Sequence, residues 1–112
     1  MPRISKTTAT ETTIDRMVKR IVRKFQPEQV ILFGSHARGE AGPDSDVDLL
    51  VVMDFEGSAF EMALEIRLAI PDRSVSVDVI VTRPVDFAWR KEVIGTIEWP
   101  AAREGKVLYA RP

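Results

Sequence analysis

The chain contains no cysteine, and His36 is the single histidine among its 112 residues. Without cysteine there are no disulfide bonds and no thiolate metal ligands. One histidine also nearly excludes a zinc site of the usual nitrogen and sulfur type. A metal ion bound here would therefore have to be a hard cation held by carboxylates, such as magnesium or manganese.

Long apolar runs are also missing. No stretch approaches the roughly 20 apolar residues that span a bilayer, and residues 1–11 lack the apolar segment of a signal peptide. We expect a cytoplasmic protein without membrane contact. The length suits one domain, and a composition that is 45% hydrophobic can fill its core. We predict a flexible tail over residues 1–10 and a single domain over residues 11–112.

Positive charge is concentrated at the beginning of the chain. Residues 1–25 carry seven Lys or Arg against two Asp or Glu, whereas the remainder carries nine against fifteen. Such a segment attracts nucleic acid or an acidic partner, or it is a solvated helix face. No aromatic residues interleave with the basic ones, as a base-stacking surface requires. This favours the solvated face, and direct nucleic-acid binding is not expected.

Hydrophobic spacing predicts alternating helices and strands, which is the pattern of an α/β fold with a small mixed β-sheet flanked by helices. Trp89 and Trp99 are expected in the core more than at an interface. The predicted elements are a helix over 11–25, strands over 30–33 and 47–53, a helix over 58–70, a strand over 74–82, a helix opening at Pro84, helical pieces over 90–104 interrupted by Gly95 and Pro100, and a closing strand over 106–109.

Three acidic residues stand at positions where strands place side chains on one face. Asp46 and Asp48 open a predicted strand and, being two residues apart, point to the same side of it. Asp78 lies on the polar face of a later, valine-rich strand. Neighbouring carboxylates repel each other unless a cation lies between them. If the strands are adjacent, the three side chains suit two divalent ions about 3.5–4 Å apart, which can clamp the attacking and leaving oxygens of a displacement at phosphorus.

A glycine-rich segment follows the first predicted strand. Gly34 allows a sharp turn and a close approach of phosphate. A helical turn that begins at Ser35 would direct free backbone N–H groups at an anion, and the Ser35 hydroxyl can add a hydrogen bond. Arg38 can neutralise phosphate charge or pair with an acidic neighbour. His36 is expected to face solvent or phosphate without a catalytic duty.

Other sites with similar motifs are excluded by the same residues. The segment from Gly34 to Gly39 has the spacing of a P-loop, but Glu40 and Ala41 follow where Lys and Ser or Thr are required. The series Asp44-x-Asp46-x-Asp48 begins like a calcium-binding loop but lacks its glycine and its final glutamate. One histidine beside a serine does not make a hydrolase triad.

The two motif blocks, Gly34-Ser35-x-Ala37-Arg38-Gly39 and Ser45-Asp46-x-Asp48-Leu49, with the later Asp78, resemble those of the DNA polymerase beta-like nucleotidyltransferase superfamily. The chain looks most like the minimal nucleotidyltransferase (MNT) domains of prokaryotes, over roughly residues 14–110. The resemblance implies the polymerase beta-like fold, a triphosphate held by Gly34, Ser35 and Arg38, and Mg²⁺ bound by Asp46, Asp48 and Asp78. It also implies that Asp78 helps to deprotonate the acceptor hydroxyl.

Minimal nucleotidyltransferases are typically paired with a small helical protein of the HEPN type, a ribonuclease toxin for which they act as antitoxin. The resemblance therefore implies a metal-dependent enzyme that moves AMP from ATP onto a hydroxyl of such a partner, with two Mg²⁺ ions or Mn²⁺. Two alternatives stay open: a binding module that neutralises its partner by contact, and a nucleotidyltransferase that modifies a small molecule such as an antibiotic. Whether the chain forms a homo-oligomer also stays open.

Overall fold

The computed structural model describes residues 9–42 and 44–112. Over these ranges the chain forms five helices and four strands. In chain order they are α1 (Ala9–Phe25), β1 (Gln29–Phe33), α2 (Ser35–Arg38), β2 (Val47–Val52), α3 (Ala59–Ala69), β3 (Val77–Thr82), α4 (Pro84–Arg90), α5 (Glu98–Glu104) and β4 (Lys106–Ala110).

The strands form one mixed sheet in the order β3-β2-β1-β4. The two strands beside β1, which are β2 and β4, both run antiparallel to it. The strand β3 runs parallel to β2, and α3 provides the crossover that a parallel pair requires. This is the small mixed sheet flanked by helices that the hydrophobic spacing predicts.

Successive side chains of the central strands point to opposite faces of the sheet, so the hydrophobic core has one part on each face. On one face, which we call the α1/α3 face, Leu49 and Val51 pack with Ile14, Ile21 and Ile66 of the two helices. On the other, the α4/α5 face, the packed residues are Ile31, Phe33, Leu50, Val52, Phe87 and Ala101. Residues 48, 50 and 52 of β2 therefore point toward α4 and α5. A polar side chain at one of these positions lies on the α4/α5 face of the sheet.

The helix α5 is tied to β3 by a buried polar group. The carboxylate of Glu98 is 5% exposed. It accepts a hydrogen bond of 2.9 Å from the Thr82 hydroxyl and one of 3.1 Å from Arg90 Nε. Because a buried carboxylate is stable only when it is paired, these contacts hold the beginning of α5 against the end of β3 and the end of α4.

Two expectations about the C-terminal region are wrong. Trp89 is 53% exposed, because α4 turns the neighbouring Phe87 toward the sheet and leaves Trp89 on its outer side. Pro100 does not interrupt a helix; it lies in the first turn of α5, where the missing N–H would have no partner within the helix. The break comes earlier, in turns over residues 91–97 that include Gly95.

The remaining boundaries agree with the expectations to within a few residues. The first helix begins at Ala9, inside the predicted tail, and residues 1–8 of that tail lie outside the described residues. The strand predicted over 74–82 begins at Val77, since the preceding residues form a turn in which Asp72 accepts hydrogen bonds from Ser74. Within residues 9–42 and 44–112, no helix is both long and apolar enough to cross a membrane.

Candidate active site

The strand β1 ends in a backbone conformation that requires glycine. Gly34 has φ 75° and ψ −157°, a region that side-chain-bearing residues rarely adopt. The turn redirects the chain from the sheet into α2, whose first internal hydrogen bonds run from the N–H groups of Ala37 and Arg38 to the carbonyl of Gly34. The N–H groups of Ser35 and His36 precede these bonds and are not used by the helix. They therefore remain suited to an anion, as the sequence predicts.

The pairing of β2 with β3 brings two of the predicted acidic residues together. The parallel register places Asp48 directly beside Asp78. Asp48 alternates with Leu50, and Asp78 with Ile80, so both carboxylates lie on the α4/α5 face of the sheet. Asp46 is exposed and directly precedes β2. The condition stated from the sequence, that the strand of Asp78 be adjacent to that of Asp48, is met.

Gly34 and Asp48 are in close contact across β1 and β2. A Cβ atom added to Gly34 would overlap Asp48 Oδ2 and would lie 3.2 Å from Asp48 Cγ. The absence of a side chain at position 34 is what lets this carboxylate reach the glycine turn. The structure thus joins the glycine segment and the acidic residues, which the sequence keeps in separate blocks, into one site.

The environment of Asp48 disfavours its charged form. Burial raises the pKa of this carboxyl above its ordinary value, and the negative charges of Asp78 and then Asp46 raise it further. His36 and Arg38 act on it in the opposite direction. Asp78 and Asp46 therefore lie close enough to Asp48 to disfavour its negative charge, and a cation beside Asp48 would relieve that repulsion.

The donor chemistry of these residues fits a hard divalent cation. Asp46, Asp48 and Asp78 offer carboxylate oxygens, the ligands that magnesium and manganese prefer. As the side chains stand in residues 9–42 and 44–112, no three His, Cys, Asp or Glu form a ready-made metal-binding group. The exposed side chain of Asp46 has the freedom to turn toward the other two.

Two residues of α2 contact the loop and the helix around the site. Arg38 donates a hydrogen bond of 2.9 Å to Glu40 and lies 3.6 Å from Glu104 at the end of α5. Of its two predicted roles, the structure displays the ion pair. His36 Nε2 lies 3.2 Å from the carbonyl oxygen of Ser45, so it links the two motif blocks. This contact could not be predicted from the sequence, where the place of His36 inside the motif is the one signal for it.

A polar cavity of about 390 Å³ opens beside Asp46. It lies at the end of the sheet where β1 finishes and where β2 and β3 begin. Its lining includes Thr10, His36, Ser45, Ser74 and Ser76. Neither Asp48 nor Asp78 lines this cavity, so its hydroxyl and imidazole groups offer hydrogen-bonding partners beside Asp46 alone among the three aspartates.

The sequence that forms this glycine turn and these strand carboxylates matches a known protein family. The model of the nucleotidyltransferase domain family matches residues 14–104, which include the turn and all three aspartates. The chain belongs to the nucleotidyltransferase domain family. The reaction class that the motifs predict is therefore confirmed.

Individual proteins resemble this nucleotidyltransferase domain in sequence or in fold. A candidate protein adenylyltransferase of Methanocaldococcus jannaschii is 25% identical over 105 residues, which cover 88% of this chain and 97% of the relative. The crystal structure of a candidate nucleotidyltransferase from Sulfolobus solfataricus superposes with a TM-score of 0.63 at 23% identity, covering 89% of this chain and 79% of that one.

Structures of toxin–antitoxin pairs share the same fold. A chain of the MntA–HpeT pair superposes with a TM-score of 0.56 at 19% identity, covering 88% of this chain and 72% of that one. A toxin–antitoxin structure with AMP-PNP gives a TM-score of 0.52 at 18% identity, with 87% and 73% of the two chains covered. At these identities the likeness concerns the fold.

Proposed function

We propose that this nucleotidyltransferase moves AMP from ATP onto a hydroxyl group of a partner protein, and that the reaction requires a divalent metal, Mg²⁺ or Mn²⁺. The observation that carries the proposal is the register of Asp48 against Asp78, with Gly34 in contact with Asp48. Acidic side chains beside a turn that admits phosphate are what transfer at a phosphate group requires.

Each residue of the site then has a defined task. The backbone turn at Gly34 lets the triphosphate approach the sheet, and Ser35 donates hydrogen bonds to a phosphate oxygen through its N–H and hydroxyl groups. Asp46, Asp48 and Asp78 would hold the metal ions, and Asp78 also accepts the proton of the attacking hydroxyl. Two Mg²⁺ ions held there would supply the positive charge that the attacking and leaving oxygens need. The acceptor oxygen bonds to the α-phosphorus while the bond to pyrophosphate breaks.

The acceptor must approach from the α4/α5 face, because α1 and α3 cover the opposite face of the sheet. The surface of α4 and of the turns before α5 carries several large apolar side chains that face solvent. They are Val85, Trp89, Val93, Ile94 and Ile97. An apolar surface on the helix layer that covers the same face of the sheet as Asp48 and Asp78 supports an acceptor presented by a protein, since exposed apolar patches commonly mark protein-binding sites.

The choice of ATP and of the partner rests on the relatives. One is named as a candidate protein adenylyltransferase, and it matches nearly its whole length. Others of the same fold come from toxin–antitoxin pairs, and one of those structures contains AMP-PNP. We therefore propose a toxin as the partner, of the helical HEPN type that the motif resemblance implies, and an antitoxin role for this chain in the cytoplasm.

The test is transfer of label from ATP labelled at the α-phosphate to the purified partner in the presence of Mg²⁺. Asp48→Asn and Asp46→Asn should each lower the rate by about a hundred- to a thousandfold, the usual effect of removing a group that stabilises developing charge. Asp54→Asn, an exposed aspartate just beyond β2, serves as the matched control and should keep the activity.

Neutralisation of the partner separates this proposal from the contact mechanism. If Asp48→Asn still neutralises the toxin without transferring label, the chain acts as a binding module and the enzymatic proposal is wrong. If label appears on a small molecule instead of on the protein, the acceptor has been misassigned although the chemistry stands.

A further inference from the structure

The outer surface of α3 is unusual for a helix of a small domain. Its solvent side carries a ridge of large apolar residues at four-residue spacing: Phe60 is 79% exposed, Leu64 48% and Leu68 65%. The helix is therefore apolar on both sides, since Ile66 on the inner side is fully buried. Two exposed glutamates, Glu61 and Glu65, come directly after Phe60 and Leu64 of the ridge in the sequence. Such a ridge is costly to leave in water and marks a contact surface.

The neighbouring helix α1 offers a surface of the opposite kind. Between α1 and the end of α3 lies a cavity of about 540 Å³ whose apolar wall includes Met17, Ile70 and Pro71. Its charged residues are four basic ones, Arg16, Lys19, Arg20 and Arg23, and one acidic one, Asp72, so the rim has a net positive charge. Lys19 is paired with Asp15, and Arg20 donates to the carbonyl of Ala69. The cavity is therefore apolar inside and positively charged around its edge.

The two surfaces lie side by side on the same layer of the molecule. Because Gln29 at the start of β1 pairs with Val52 at the end of β2, the end of α1 and the beginning of α3 lie at the same end of the sheet. The two helices therefore run antiparallel over the α1/α3 face. A two-fold rotation about an axis between them, parallel to both, lays α1 of one copy on α3 of another.

We propose that this nucleotidyltransferase forms a two-fold symmetric homodimer in which the α3 ridge of each copy enters the α1 cavity of the other. In this arrangement the first half of α1, with Arg16, faces the second half of the opposite α3, with Glu65. The second half of α1, with Arg23, faces Glu61. Apolar side chains meet the apolar wall while the arginines meet glutamates, and the symmetry uses each contact twice.

The proposed interface leaves the active site free. Asp48 and Asp78 open on the α4/α5 face, on the far side of the sheet from α1 and α3. Dimerisation therefore does not depend on nucleotide, metal or acceptor. Its outcome can be read separately from that of the proposed reaction.

The first test measures the molar mass of the purified full chain by light scattering and sedimentation over a concentration series. The wild type should reach twice the 12.6 kDa of one chain. Leu68→Glu and Phe60→Glu should shift it to the mass of a single chain, and the charge at these exposed positions should leave the circular dichroism spectrum unchanged. Val85→Glu, on the exposed side of α4, is the matched control and should remain dimeric. A monomeric wild type, or a dimer that survives both α3 variants, would overturn the proposal.

A charge exchange between copies tests the pairing itself. Arg16→Glu and Glu65→Arg should each be monomeric, because each variant places like charges against its own partner copy. An equimolar mixture of the two should dimerise again, since Glu at position 16 then meets Arg at position 65 and the reverse contact is the native one. A rearrangement within one chain cannot produce this recovery. A mixture that stays monomeric would rule out the proposed pairing.

Discussion

Asp48 on β2 and Asp78 on β3 are direct partners in a parallel register, and both carboxylates lie on the face of the sheet that carries α4 and α5. Gly34 brings the glycine turn against the first of them. Residues 30 positions apart in sequence thereby form one negatively charged site next to a backbone that can receive an anion.

The first prediction is that the ionised carboxylate of Asp48 destabilises the folded chain when no metal is bound. The pKa of Asp48 is raised, by burial first and then by Asp78 and Asp46, so the folded chain binds this proton more tightly than the unfolded chain. Stability therefore falls as pH rises from the ordinary aspartate pKa through the folded value, and the penalty is fully present above the folded value.

Asp48→Asn should consequently have a higher melting temperature than the wild type at neutral pH without metal. The difference should vanish below the ordinary pKa of aspartate, where both side chains are neutral. Asp54→Asn is the comparison and should melt like the wild type. If Asp48→Asn melts lower than the wild type at neutral pH in EDTA, repulsion among the carboxylates is not a destabilising factor.

The second prediction concerns ligand binding. Mg²⁺ with ATP should raise the melting temperature of the wild type, since a ligand present at a hundred times its Kd adds about 2.7 kcal/mol to the stability of the folded state. Asp48→Asn and Asp78→Asn should lose most of this gain. An undiminished shift in both variants would place the nucleotide elsewhere.

The third prediction concerns the glycine turn. Gly34→Ala forces a side chain into a positive-φ conformation and against the Asp48 carboxylate. The strained backbone alone should lower the free energy of unfolding by about 1–3 kcal/mol. Displacement of Asp48 should also abolish the Mg²⁺-dependent stabilisation. Denaturant unfolding with and without Mg²⁺ measures both effects, and Gly39→Ala, which meets no atom within 4 Å at the end of α2, provides a control for positive φ without the contact.

The fourth prediction concerns the buried carboxylate that attaches α5. Thr82→Val keeps the shape of the side chain but removes the hydroxyl that donates to Glu98. The loss should be about 1–3 kcal/mol, because a buried acceptor is left with one partner fewer. Thr82→Ser retains the hydroxyl and should lose clearly less. Equal stabilities of Thr82→Val and wild type in urea would show that Arg90 alone satisfies Glu98.

The sequence predicted which face of β3 carries Asp78 better than it predicted the surroundings of the candidate site. Strand alternation was enough to place Asp78 on one face of its strand, but the register that pairs it with Asp48 depends on α3 crossing over the sheet. The exposed position of Trp89 also escaped prediction, because Phe87 and Trp89 point to opposite sides of a short helix and the sequence does not show which of them faces the sheet. The α3 ridge could not be assigned a direction from the sequence, since apolar residues surround the helix and periodicity then selects no single buried face.

Pro100 was expected to interrupt a helix, but it lies in the first turn of α5. Proline breaks a helix interior but is tolerated in a first turn, and α5 begins only at Glu98. The beginning of α5 is set by the buried contacts of Glu98 with Thr82 and Arg90, which no local pattern reveals. The residue at which α5 begins therefore depends on polar contacts with other elements and cannot be predicted from the proline alone.

The most direct test of the site is to map where Mn²⁺ binds in the folded chain by paramagnetic broadening of backbone amide signals. The wild type should lose the signals of Gly34, Ser35, residues 46–48 and Asp78 first, at substoichiometric Mn²⁺, and Asp48→Asn should retain them. Broadening centred on another acidic region, such as Asp54 and Glu56, or an identical pattern in Asp48→Asn, would contradict the proposal that these aspartates hold the metal.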